Sequence, residues 1–80
     1  MHELWLCKNI MEIILQKAND IKCHKIKKIS LIIGSQSMID KSSLLFSLDI
    51  ITKNTVAEHA TLEIIENESN DILVKSMEVE

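Results

Sequence analysis

The chain opens Met1-His2-Glu3, which places an α-amine, an imidazole and a carboxylate within one tripeptide. These are donors for a divalent cation. Nickel(II) favours tetragonal or square-planar sets of nitrogen and oxygen, and imidazole suits it well. The amine of Met1 and the ring of His2 can chelate one ion, with the amide nitrogen between them as a third donor once it loses its proton. The fourth donor must come from elsewhere, and Glu3 is the nearest candidate. The amine titrates at about 7.7–8.0, so near neutrality the metal has to displace a proton. The bulk of His2 hinders removal of Met1, which leaves the methionine's own amine as the ligand. A plainer reading stands beside this one. Histidines near a chain start are mostly solvated and frayed, and Glu3 gains from the positive end of a helix dipole with no metal present. For Glu3 the two roles can coexist.

Other chemistry is harder to find. Cys23-His24 invites a metal reading, but adjacent residues seldom point at one ion and no second pair lies at ligand spacing. With Lys22, Lys25, Lys27 and Lys28 around it, this stretch reads as a solvated basic connector over residues 21–28, able to dock an acidic partner. His59 stands alone and is expected to be exposed. The two cysteines, Cys7 and Cys23, allow at most one bridge, and nothing indicates secretion, so reduced thiols and a cytoplasmic location are expected. There is no Ser/His/Asp set, no glycine-rich phosphate loop and no pair of acids in a plausible cleft, which argues against an enzyme. The net charge of -3 argues against a nucleic-acid binder, and no apolar run reaches membrane-spanning length.

The elements that would position the opening tripeptide follow from periodicity. Leu4, Cys7, Met11, Ile14 and Ala18 recur at three and four, one face of a helix over about residues 3–19. Ile10 and Leu15 widen the stripe, while Trp5, Leu6 and Ile13 lie partly off it, so packing on more than one side is expected. Ile29, Leu31 and Ile33 share one face of a strand that ends at Gly34, a residue suited to an exit with positive φ. Asp40 is a good N-cap for a second helix. Leu44, Leu45, Leu48 and Ile51 form its buried stripe with Phe46 on a flank, and Lys53-Asn54 closes it, Asn tolerating the left-handed conformation. Residues 61–66 alternate as a strand, residues 67–71 are rich in turn formers, and residues 72–79 form a last strand; the two strands read as an antiparallel hairpin. Pattern alone leaves open whether Leu73, Met77 and Val79 or Ile72 and Val74 face inward. Eighty residues make one domain, 1–80, burying about 60–65% of the surface of the unfolded chain. The expected fold is α+β in two layers: two helices on a three-stranded, largely antiparallel sheet, in the order helix-strand-helix-strand-strand.

At this point the blocks of sequence become informative together. MHELWLCKNIMEII resembles the opening of the HypA/HybF family of hydrogenase nickel-incorporation proteins, which begins Met-His-Glu. ISLIIGSQSMIDKSSLLFSLDIITKNTVAEHATLEI resembles that family's central strand, loop, second helix and following strand, and VKSMEVE resembles its closing strand. The resemblance implies a nickel metallochaperone that helps insert nickel into the large subunit of nickel-iron hydrogenase. It implies as partners a GTPase of the same maturation pathway and the hydrogenase itself, and some members also serve urease maturation. His2 matches the family's essential nickel ligand, Met1 matches through its amine, and Glu3 matches a carboxylate that assists in some members. Asp40 matches an acidic position near the nickel site in members with a similar loop, although its context already explains it as a helix cap. The departure is large. Family members normally carry a zinc module with two Cys-x-x-Cys pairs between the last two strands, and here only the short stretch 67–71 stands in its place. No structural zinc is expected. A competing reading is a module that has lost metal trafficking and only docks on the GTPase or on hydrogenase; a protein of that kind has no reason to begin Met-His-Glu.

Overall fold

The apolar pattern switches from helical to alternating and back along the chain, and the backbone follows it. The computed structural model describes residues 2–80, with side chains from residue 5 onward. It contains α1 (His2–Asp20), β1 (Ile26–Gly34), a 3-10 turn (Ser35–Ser37), α2 (Lys41–Ile51), β2 (Thr61–Asn67) and β3 (Ile72–Val79). The α+β class and the element order are those expected.

Helix α1 buries Cys7, Ile10, Met11, Ile14 and Ala18. Of the three residues off that stripe, Leu6 packs against the core while Trp5 and Ile13 are exposed, so the helix is buried on one side only. Its exit carries a pair of reversed hydrogen bonds: Cys23 N–H donates to the Ala18 carbonyl at 3.1 Å and Lys22 N–H to the Asn19 carbonyl at 3.2 Å. That is a Schellman turn, and its left-handed residue is Lys22, with φ 55°. The half-buried Cys23 folds back over Ala18 as the apolar contact that usually accompanies such a turn, and both residues border one surface cavity.

The sheet corrects one expectation. Its strand order is β2-β1-β3, so β2 and β3 are not a hairpin; β1 lies between them, parallel to β2 and antiparallel to β3. The physical reason is the composition of β1. It is apolar at Ile32 as well as at Ile29, Leu31 and Ile33, and a strand with apolar residues on both faces is best placed in the centre. The parallel pair is joined through α2, the long connection that parallel strands require. Residues 68–71 then cross the end of β1. Two strand spacings are about 9.5 Å, within the roughly 13 Å that four extended residues can span. The crossing segment is sewn down where it passes: Gly34 N–H donates to the Asp71 carbonyl at 2.7 Å and Gln36 N–H to the Ser69 carbonyl at 3.0 Å.

Gly34 is required here for space. Its φ is -70° and its ψ 139°, ordinary extended values, and not the positive φ expected of a glycine exit. A Cβ added to it would overlap the backbone carbonyl of Ser69. Two further departures come from bulges. β1 begins at Ile26, inside the stretch expected to be a connector, because its pairing with β3 skips Lys27: Ile26 faces Val79 and Lys28 faces Glu78. The extra residue brings Ile26 and Ile29 to the same side, and both are fully buried. On β3 the extra residue is Lys75, between Ser76 opposite Ser30 and Val74 opposite Leu31. Ile72, Val74 and Met77 therefore all pack on the core, while Leu73 and Val79 are exposed. Neither of the two alternating sets describes the strand, since alternation is broken inside it.

Both helices cover one face of the sheet. Ile29, Leu31 and Ile33 meet Leu44 and Leu48 of α2, Ala57 and the α1 stripe in one cluster. On the other face the Ser30 hydroxyl donates to Glu63 Oε1 at 2.8 Å, and Lys28 Nζ lies 3.5 Å from Glu63 and 3.8 Å from Glu78.

Candidate functional site

Helix α1 begins at His2, so the backbone of His2 and Glu3 forms its start. Met1 lies outside the described residues, and so do the side chains of His2 and Glu3. What the structure does give is the place to which the helix delivers them. Cys7 Sγ lies 3.7 Å from the Leu44 carbonyl, so the first turns of α1 pack on the first turn of α2. At the other end, Leu15 and Ala18 of α1 and Val56, beyond the end of α2, border one cavity. The two helices thus run in the same sense, and their starts share one end of the domain. At 1.5 Å per residue, His2 is roughly 7.5 Å along the axis from Cys7, and Asp40 is about 6 Å from Leu44. The end of β1, the 3-10 turn and the crossing 68–71 lie at this same end.

Asp40 has φ -78° and ψ 109°, and its Oδ1 accepts from Ser42 N–H at 3.0 Å and Ser43 N–H at 3.3 Å. It is the N-cap of α2. Lys41, next to it, pairs with Glu66 at the end of β2 and ties the helix start to the sheet edge. Met38 is 91% exposed and left-handed, with φ 62°. The sequence placed it in an ordinary loop; nothing in its neighbours signals the conformation, because methionine has no special tolerance for it. Among the described residues no group of three or more His, Cys, Asp or Glu side chains converges as a metal cluster. His24 and His59 are exposed, Cys23 is half-buried and Cys7 is buried, so the Cys-His stretch and the lone histidine stand where the sequence put them. No helix among the described residues is long and apolar enough to cross a membrane.

With this geometry in view, comparison with known proteins is decisive about kinship. The family model described as "Hydrogenase/urease nickel incorporation, metallochaperone, hypA" matches residues 1–72. The chain belongs to the HypA family. HypA from Legionella pneumophila (strain Lens), a hydrogenase maturation factor, is 54% identical over 66 residues, which is 82% of this chain and 58% of that protein. HypA from Caldanaerobacter subterraneus subsp. tengcongensis is 37% identical over 62 residues, 78% of this chain and 54% of that protein. The chain therefore spans little more than half the length of the curated HypA relatives it matches. The solution structure of the Ni metallochaperone HypA from Helicobacter pylori matches with a TM-score of 0.80 at 16% identity, covering 96% of this chain and 96% of that one. That likeness is one of fold. The HypA family is one of metallochaperones, carriers and not catalysts.

Proposed function

We propose that residues 1–80 form a nickel-carrying domain that delivers nickel to nickel-iron hydrogenase during its maturation, with the amine of Met1 and the imidazole of His2 as the principal ligands and Glu3 as an assisting carboxylate. The observation that supports this reading most is that the family match begins at residue 1 and so takes in the Met-His-Glu start. The local physics is favourable to a transient carrier. The first amides of a helix have no partner within it, so the His2 nitrogen is not committed to the helical ladder. The positive end of the α1 dipole opposes a cation placed there, and a nearby carboxylate such as Glu3 offsets it. A chelate balanced in this way, at a chain end, holds its ion without a preformed cage and can trade it to an acceptor. The partners in this reading are a maturation GTPase and the hydrogenase large subunit, with urease maturation proteins as a second route, all in the cytoplasm. The four residues that join β2 to β3, 68–71, contain no cysteine, so no structural zinc is expected there.

The test is nickel titration by calorimetry on three samples: untagged protein, protein with an acetylated amine, and His2→Ala. Acetylation and His2→Ala should each remove most of the binding, and affinity in the unmodified protein should weaken as pH falls below the amine's range of about 7.7–8.0. Equal affinity in all three samples would leave the metal-independent docking module as the better account. Replacing Cys23, His24 or His59 by Ala should change little. Complementation of a maturation-deficient strain, with and without added nickel, tests the cellular role.

A further inference from the structure

Strand β3 is an edge of the sheet, paired with β1 on one side only. Between it and the second half of α1 runs an open groove of about 310 Å³. Its floor and walls are apolar, with Ile13 from α1, Ile21 from the turn just after it, and Met77 and Val79 from β3. Ile13, Ile21 and Val79 are all exposed, and exposed aliphatic residues gathered on one site differ from the scattered ones of an ordinary surface. The charged residues in the lining are Lys17 and Lys75, and both are cations, although the chain as a whole carries -3. Glu78, the nearest acid on β3, points to the other face, where Lys28 takes it.

We propose that this groove docks an acidic peptide segment of another protein, its apolar side chains seated between Ile13, Ile21 and Met77 and its carboxylates reaching Lys17 and Lys75. Charge selects this occupant over a second copy of the chain. A two-fold contact through the groove would bring the lysines of one copy to the same cationic lining of the other. The edge of β3 is also a poor template for another sheet, because Lys75 is itself the bulged residue, and a lysine at a bulge blunts an edge against pairing. The groove begins at Ile13, about 16 Å along α1 from His2. A partner held there leaves the start of α1 uncovered. The proposal stands on the groove alone and holds whatever the chain start binds.

The experiment uses fluorescence anisotropy with the untagged 80-residue protein and two labelled peptides of about a dozen residues, one with leucines spaced between aspartates and a twin with lysines in their place. The acidic peptide should bind, and the twin should bind at least about tenfold more weakly, with the difference shrinking as salt rises. The double variant Lys17→Glu, Lys75→Glu should reverse the preference, while Lys8→Glu, outside the groove, should leave it intact. All three positions are exposed, so circular dichroism should be unchanged. Equal binding of the two peptides, or undiminished binding of the acidic one by the double variant, would overturn the proposal. So would self-association by sedimentation that the double variant abolishes, which would make a second copy the occupant.

Discussion

The two ends of the domain turn the chain differently: one uses a close crossing of backbones, and the other has no such crossing. At the end where both helices begin, the chain crosses over its central strand, and the one glycine of the sequence sits beneath the crossing with ordinary dihedrals. At the end where both helices finish, the turns rely on positive φ alone, and Lys22, Asn54 and His59 supply it without any glycine, as Met38 does once at the helix-start end. Left-handed conformation costs a residue with a Cβ roughly 1–2 kcal/mol, a cost that can be spread over several turns. Overlap with a backbone carbonyl cannot be spread at all. The single glycine is placed where a Cβ would push the crossing chain aside, and the sites that merely prefer glycine do without. The helix-start end is thereby pinned, and it is the end to which α1 delivers His2 and α2 delivers Asp40.

The strongest way to break this contrast is Gly34→Ala. The added methyl meets the Ser69 carbonyl, so the crossing must lift and its bonds from Gly34 and Gln36 must lengthen. A cost of about 3 kcal/mol is expected, the upper range for forced overpacking, against a total of roughly 4–12 kcal/mol for a domain of this size. Urea denaturation should show a large fall in midpoint. A variant as stable as the parent would mean that the crossing has slack and that glycine was not needed.

How much of this was legible beforehand differs by element. The α1 stripe, the Asp40 cap and the left-handed Asn54 were all readable, because each depends on residues within a turn of one another. The pairing of the strands was not. A turn-rich break between two alternating strands fits a hairpin and a crossing equally, and the choice is made by β1, far back in the sequence. The start of β1 and the facing of β3 were hidden for a related reason: Lys27 and Lys75 are bulged, and one inserted residue reverses parity without changing composition. The groove beside β3 could not be read at all, since it exists only because β3 lies next to α1. For the metal, the sequence named the donors Met1, His2 and Glu3; the structure describes only the end of the domain at which α1 begins.

Two smaller changes sharpen the contrast from each side. Asp40→Ala should cost about 1 kcal/mol, the usual value of an N-cap carboxylate, and Asp40→Asn should restore most of it. If the cap is Asp40's whole role, nickel affinity should be unchanged in the Asn variant; a large loss there would add a ligand to the helix-start end. Lys22→Gly should instead stabilise the domain, by about 0.5–1 kcal/mol, because the relief of left-handed strain outweighs the added freedom of the unfolded chain. A thermal melt that moved down would mean that the Lys22 side chain does something at the helix exit beyond tolerating its φ.

The mildest effect is expected midway between the two ends, on the open face of the sheet. The Ser30 hydroxyl beside Glu63, and after it the charge of Lys28, hold the Glu63 carboxyl below the usual carboxylate range. A carboxyl whose folded value is depressed contributes stability at pH above its unfolded value of about 4.3 and loses it as pH falls through the folded value. Stability should therefore decline slightly on acidification in that window, and only slightly, because Glu63 is exposed and water screens the interaction. The sharper readout is the titration of the Glu63 side-chain carboxyl by NMR. Ser30→Ala should move its midpoint up toward that of an ordinary glutamate, and Lys28→Met should move it by less. The reverse order would assign the depression to the cross-strand charge ladder of Lys28, Glu63 and Glu78, and not to the hydroxyl that β1 buries beneath Glu63.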